Sequence, residues 1–155
     1  MLSTLIRFAC VACLAGGYIT NSRGQDLTRA IVSLSSERLL SVYSIETNPG
    51  SLVLEHQIET PGSPGSSCID PQGKYLYVVM KGSGAIAAYS IGDDGNLSLR
   101  NESDVGQDAS YVRVHPSGTF LFSSYYAACQ LAVHRIAADG RLSSEPVQVL
   151  KTDEK

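Results

Sequence analysis

With 155 residues, 43% of them hydrophobic and 17% charged, the chain has the material for one ordinary packed domain and not the composition of a disordered tail. A net charge of -3 excludes the basic footprint of a nucleic-acid binder and any general attraction to anionic membranes. Tryptophan is absent, glycine (14) and tyrosine (8) are frequent, and turn residues recur between short apolar runs, which is the style of an all-β sequence.

The first 24 residues differ from the rest. Arg7 precedes an apolar run from Phe8 to Leu14, extended loosely through Ile19, and no acidic residue occurs before Asp26. A positive start, an apolar stretch and the small residues Ser22 and Gly24 predict a secretory signal peptide over residues 1–24, cleaved before Gln25, and a secreted or periplasmic mature chain, 25–155. The apolar run is shorter than the roughly 20 residues that span a bilayer, so no membrane association is expected after cleavage. Cys10 and Cys13 fall inside this run, which argues against redox or metal chemistry for their C-x-x-C spacing. Val11-Ala12-Cys13 forms part of a lipobox, with Cys10 in place of leucine, and leaves lipidation of Cys13 as the alternative. Cys68 and Cys129 remain in the mature chain, where an oxidising compartment permits a disulfide without establishing one.

From there the chain repeats. Val42-Tyr-Ser-Ile45 followed by Gly50-Ser-Leu52 returns as Ala88-Tyr-Ser-Ile91 with Gly95-Asn-Leu97, then as Val133-His-Arg-Ile136 with Gly140-Arg-Leu142. Cys68-Ile-Asp-Pro-Gln-Gly-Lys-Tyr-Leu-Tyr77 returns as Arg113-Val-His-Pro-Ser-Gly-Thr-Phe-Leu-Phe122. The offset is 45 residues: Pro71 to Pro116, Gly73 to Gly118, Gly50 to Gly95 to Gly140. Each unit reads as four strands. In the last, Tyr111 to Val114 ends at the Pro116-Ser117-Gly118 turn, Thr119 to Ser124 follows, then a loop to Cys129, Gln130 to Ile136, an Asp139-Gly140 hairpin, and Leu142 to Leu150 with Pro146 marking an edge. The first unit is expected to begin at its second strand, near Thr28, giving eleven strands in all, with helix confined to the signal segment.

Four antiparallel strands per 45 residues is the β-propeller blade, and nearly continuous apolar runs such as Tyr75 to Met80 suit sheets covered on both faces. The predicted fold is all-β: an incomplete propeller of about three four-stranded blades, near residues 28–60, 66–104 and 110–150, preceded by the signal peptide. A two-sheet sandwich accounts for short strands but not for a fixed period.

These units resemble the blades of the seven-bladed lactonase (6-phosphogluconolactonase-like) propellers. The resemblance rests on Pro71 to Tyr77 with Ala88 to Leu97, on Pro116 to Phe122 with Val133 to Leu142, and on Ser124-Tyr125-Tyr126-Ala127 with Leu131-Ala-Val133. It covers roughly residues 28–150. It implies a carboxylic-ester hydrolase acting on sugar-acid lactones such as 6-phosphogluconolactone, in carbohydrate metabolism and without a cofactor. It also implies about seven units, with most channel polar groups on later ones, so this chain alone is expected to turn over little.

Lactone hydrolysis needs a base and oxyanion donors. Catalytic residues cannot be named from the sequence. Substrate-binding candidates are Asp108, Ser110, Tyr125 and Tyr126, in loops expected at the channel mouth, and Arg113 on the innermost strand, suited to a phosphate or carboxylate. His115 and His134 read as structural and His56 as solvated. No spacing suggests a metal, and neither a nucleophile elbow nor a phosphate loop is present. Asn96-Leu-Ser98 and Asn101-Glu-Ser103 are sequons. The expected partner is a small sugar lactone, with no nucleic acid, and self-association through open blade faces. The other function class is a non-catalytic exported repeat module mediating binding or assembly.

Overall fold

The computed structural model describes residues 9–20, 26–46 and 50–152, with side-chain surroundings from Arg29 onward. The described residues form twelve strands in three four-stranded sheets of one topology. Strands β1 (Ala9–Thr20), β2 (Asp26–Leu34), β3 (Leu39–Glu46) and β4 (Ser51–Glu59) form the first. Strands β5 (Ser63–Ile69), β6 (Tyr75–Lys81), β7 (Ala85–Ile91) and β8 (Leu97–Asp104) form the second. Strands β9 (Tyr111–Val114), β10 (Phe120–Tyr125), β11 (Gln130–Ile136) and β12 (Leu142–Lys151) form the third. Every neighbouring pair is antiparallel, so each sheet is a simple meander. The first strand of each sheet lies beside the first strand of the next, β1 by β5 and β5 by β9. That places these three strands innermost and the fourth strands outermost, as in stacked blades.

The eleven expected strands are β2 to β12. The additional strand, β1, corrects two expectations at once. Ala9–Thr20 is extended rather than helical, and the first sheet does have an innermost strand. Without a neighbour, β2 would be an edge with unpaired N–H and C=O groups, and pairing with β1 satisfies them. The remainder of the predicted signal peptide, including the Gly24–Gln25 junction, lies outside the described residues.

The period of two sorts side chains between the two blade interfaces. From the second sheet, Leu76, Val78 and Met80 on β6 with Ala87 and Tyr89 on β7 pack on Ile31, Leu40 and Val42 of the first. The opposite faces of the same strands, Tyr77 and Val79 with Ile86 and Ala88, pack on Val112, Leu121, Ala132 and Ile136 of the third. Both faces of the middle sheet are therefore dry, which is why Leu76 to Met80 reads as one apolar run.

The hairpin glycines join each blade to the one before it. Gly95 (φ +86°) and Gly140 (φ +83°) need the left-handed backbone that a side chain disfavours. Both also lie against the preceding blade: a Cβ on Gly140 would sit 2.2 Å from the Tyr75 ring, and one on Gly95 would sit 2.7 Å from Arg29 Nε. Arg29 itself pairs with Glu55 at 2.6 Å and donates to the Asp93 carbonyl at 3.3 Å. The repeated Asp-Gly turn is thus an interblade contact as well as a hairpin.

The sequon Asn101 performs a similar task between the second and third blades. Its carboxamide donates to the Leu142 carbonyl at 2.9 Å and accepts from the Leu142 N–H at 3.1 Å, while Ser103 Oγ donates to the same carbonyl at 2.7 Å. Asn96, by contrast, is exposed in its turn and bonded to Asp94. No disulfide joins Cys68 and Cys129. Cys68 lies on β5, and Cys129 closes the β10–β11 loop.

Candidate functional site: the loop end of the third blade

Loops that enter innermost strands, and loops that follow second strands, gather at one end of the stack because the sheets are meanders. They are stitched together between blades. Ser63 Oγ donates to the Ser35 carbonyl at 2.6 Å, and Ser35 Oγ donates to the Pro64 carbonyl. The Asp108 carboxylate accepts from the N–H groups of Gly82, at 2.6 Å, and Gly84, at 2.9 Å. Asp108 therefore fastens the entry to β9 onto the β6–β7 turn, and both of its oxygens are engaged in that tie.

Beside this, an open depression of about 750 Å³ is lined by Ser110, Ser124, Tyr125, Tyr126, Cys129 and Thr152, among others. The Ser110 N–H donates to the Ser124 carbonyl at 2.7 Å, and Ser110 Oγ accepts from the Tyr126 N–H at 3.1 Å, fixing the two strand ends that form its wall. Tyr126 is 89% exposed, with its ring free for a ligand to stack on. Thr152, absent from the sequence candidates, closes the far side: its N–H and its hydroxyl both donate to the Cys129 carbonyl, at 2.9 and 3.1 Å. Its signal in the sequence is only its place, one residue past the fourth strand.

The structure separates the five candidates. Ser110 and Tyr126 face the depression. Tyr125 touches its wall but is 3% exposed, and its ring belongs to the core between the second and third blades. Its hydroxyl accepts from Ser123 Oγ at 3.0 Å, and burial raises its pKa. Asp108 is turned to the neighbouring blade. Arg113 is exposed in mid-strand opposite Phe122, on the outward face of the third blade, not at the loop end.

The histidines lie elsewhere. His115 Nδ1 accepts from the Ser117 N–H at 3.1 Å and so caps the Pro116 turn. The equivalent Asp70 caps the previous turn, accepting from the N–H groups of Gln72, Lys74 and Tyr75. His134 is buried, its Nδ1 lies 3.1 Å from the Ser143 carbonyl, and desolvation lowers its pKa. Tyr89, one repeat earlier, is buried in the same position, and desolvation raises it to about 12. His56 Nε2 lies 3.1 Å from the Asp94 carbonyl, at the opposite end from the depression. The lining holds no carboxylate, histidine, lysine or arginine, so the depression offers hydroxyls, the Cys129 thiol and an aromatic surface. Among the described residues, no group of three or more His, Cys, Asp or Glu is placed to hold a metal.

Three antiparallel four-stranded sheets, stacked through alternating faces with their first strands innermost, define this protein as a β-propeller chain. The profile of the lactonase family, a seven-bladed β-propeller, matches residues 25–155, and the chain belongs to that family. It is 29% identical over 116 residues to a 6-phosphogluconolactonase of Xenorhabdus nematophila, covering 75% of this chain and 35% of that protein. It is 32% identical over 111 residues to the 6-phosphogluconolactonase of Photorhabdus laumondii, covering 72% and 33%. Among solved structures, the periplasmic gluconolactonase of Pseudomonas aeruginosa shares the fold with a TM-score of 0.74 at 18% identity, over 92% of this chain and 39% of that one. The chain spans about a third of the length of the curated relatives it matches.

Proposed function

We propose that these three blades form part of the wall of a lactone-hydrolysing propeller acting on sugar-acid lactones of the 6-phosphogluconolactone or gluconolactone type, in an exported setting. The observation that carries this reading is the family match over residues 25–155, together with relatives named 6-phosphogluconolactonase. Lactonase-like chemistry is the common ground of those relatives.

Export is supported by the leader-like order of residues 1–24 and by the start of the family match at residue 25, where that leader would end. The depression at the loop end supports substrate contact by Ser110 and Tyr126. Arg113 is the cation best placed to meet a carboxylate or phosphate carried by material stacked on the third blade. Because no carboxylate or histidine lines the depression, the chain by itself is proposed to be nearly inactive.

The assay is hydrolysis of 6-phosphogluconolactone and gluconolactone by the purified chain, against the spontaneous rate. Turnover within twofold of background is expected. Robust turnover that falls on Tyr126→Ala would overturn the proposal of inactivity and locate the site.

The outward face of the third blade favours a second reading, an assembly module. Phe120, Phe122, Leu131 and Val133 there repeat, one unit on, the positions of Tyr75, Tyr77, Ile86 and Ala88, by which the second blade carries the third. Light scattering that finds concentration-dependent self-association, lost on Phe122→Asp, supports that reading; a stable monomer at micromolar concentration counts against it.

A further inference from the structure

The depression at the loop end of the third blade presents hydroxyls whose proton positions are set by their own contacts. Ser110 Oγ accepts from the Tyr126 N–H at 3.1 Å, which leaves its hydrogen as the group it offers to a ligand. Thr152 is set the other way. Its hydroxyl hydrogen is committed to the Cys129 carbonyl at 3.1 Å, so its oxygen presents lone pairs only. The Gln130 carboxamide, also in the lining, carries both kinds of group. Tyr126 adds an exposed aromatic face.

A sugar hydroxyl donates and accepts at once, so a polyhydroxylated ring satisfies a donor on one wall and an acceptor on the other. Its C–H face meanwhile covers the apolar surface of the tyrosine ring. A phosphate dianion only accepts. It matches Ser110, but at Thr152 it meets lone pairs, and it gives up water without a replacement donor there. Arg113 lies outside this lining, on the outward face of the blade, and does not offset that cost.

We propose that the depression selects an uncharged polyhydroxylated ring, so that the unphosphorylated, gluconolactone-like ring is its substrate class, with Thr152 as the specificity-determining residue. The proposal rests on the lactone reading given above and deepens it.

The test titrates the full chain with two stable rings, 1,5-anhydroglucitol, which keeps the lactone's hydroxyls without its carbonyl, and the 6-phosphate of the same ring. Amide chemical shifts of Ser110, Tyr126 and Thr152 report binding, and unchanged β6 and β7 amides report an intact fold. The neutral ring is expected to bind at least tenfold tighter than its phosphate, and Tyr126→Ala is expected to weaken it at least fivefold. Thr152→Val keeps the shape and the N–H bond to Cys129 but removes the lone pairs, and it should narrow the discrimination at least threefold. Thr152→Ser should restore it. Equal or tighter binding of the phosphate would overturn the proposal, as would silence at those amides with either ring in a folded chain, or discrimination indifferent to Thr152→Val. Turnover by the Photorhabdus laumondii 6-phosphogluconolactonase carrying residues 25–155 in place of its matching third scores the hydrolytic reading separately. Selective binding without that turnover refutes hydrolysis and leaves the polyol site standing; turnover with phosphate-preferring binding does the reverse.

Discussion

The hydroxyl of Tyr77 donates to the carbonyl of Gly140 at 3.0 Å, tying the second strand of one blade to the hairpin of the next. Tyr77 is fully buried, and desolvation together with nearby Asp70 raises its pKa, so the group remains a neutral donor throughout the accessible pH range.

Tyr77→Phe should therefore destabilise the chain by about 1 kcal/mol, the net value of one hydrogen bond, with little steric cost. Phe122 occupies the equivalent position one repeat later, so the ring alone suits this kind of face. Urea unfolding of the two proteins checks this through a lowered midpoint at constant slope.

Two glycines with similar backbones should respond differently to alanine. Gly50 has φ +92° with nothing within 4 Å of a Cβ, so Gly50→Ala carries only the left-handed penalty of about 1 kcal/mol. Gly140→Ala adds a collision with the Tyr75 ring. It should cost at least about 1 kcal/mol beyond Gly50→Ala, in the range of overpacked cores. Thermal melts of both variants should show the larger loss at 140.

Asn101→Ala removes the two-way clamp on Leu142 and leaves its N–H without that partner. A loss of about 1–3 kcal/mol follows from stranding a part-buried polar group. Asn96→Ala, in an exposed turn, should stay within about 1 kcal/mol. Chemical denaturation compares the pair directly.

Burial holds the His134 imidazole below its ordinary pKa in the folded state. The unfolded chain then binds a proton at a higher pH than the folded chain. Stability from this group is complete above about 6.5, the unfolded value, and is lost as pH falls toward the lower folded value. His134→Gln should flatten the pH dependence of the melting temperature across that interval, while carboxylate-linked losses at lower pH persist.

The repeat was legible because it is written in turn chemistry and period. The Pro-x-Gly and Asp-Gly positions fix the hairpins, and β9 and β11 coincide with the strands read from residues 111–114 and 130–136. The site was legible only as loops. Tyr125 lies at a strand end, yet it shares parity with Leu121 and Ser123, and that alternation alone would have turned it inward. Asp108 and Asn101 look like free surface polar groups in sequence. Their partners are backbone amides of the neighbouring blade, which no local pattern encodes. The β1 strand was hidden for a different reason: an apolar run with a leader's charge order has no period that separates a strand from a helix.

These blades are proposed to be working wall of a lactone-hydrolysing propeller. The most direct measurement replaces the matching third of the Photorhabdus laumondii 6-phosphogluconolactonase with residues 25–155 and follows 6-phosphogluconolactone hydrolysis. The expected chimera melts cooperatively and turns over well above the spontaneous rate, with at least a tenfold loss on Tyr126→Ala. A cooperatively folded chimera with no turnover, or with turnover indifferent to Tyr126→Ala, would contradict this reading.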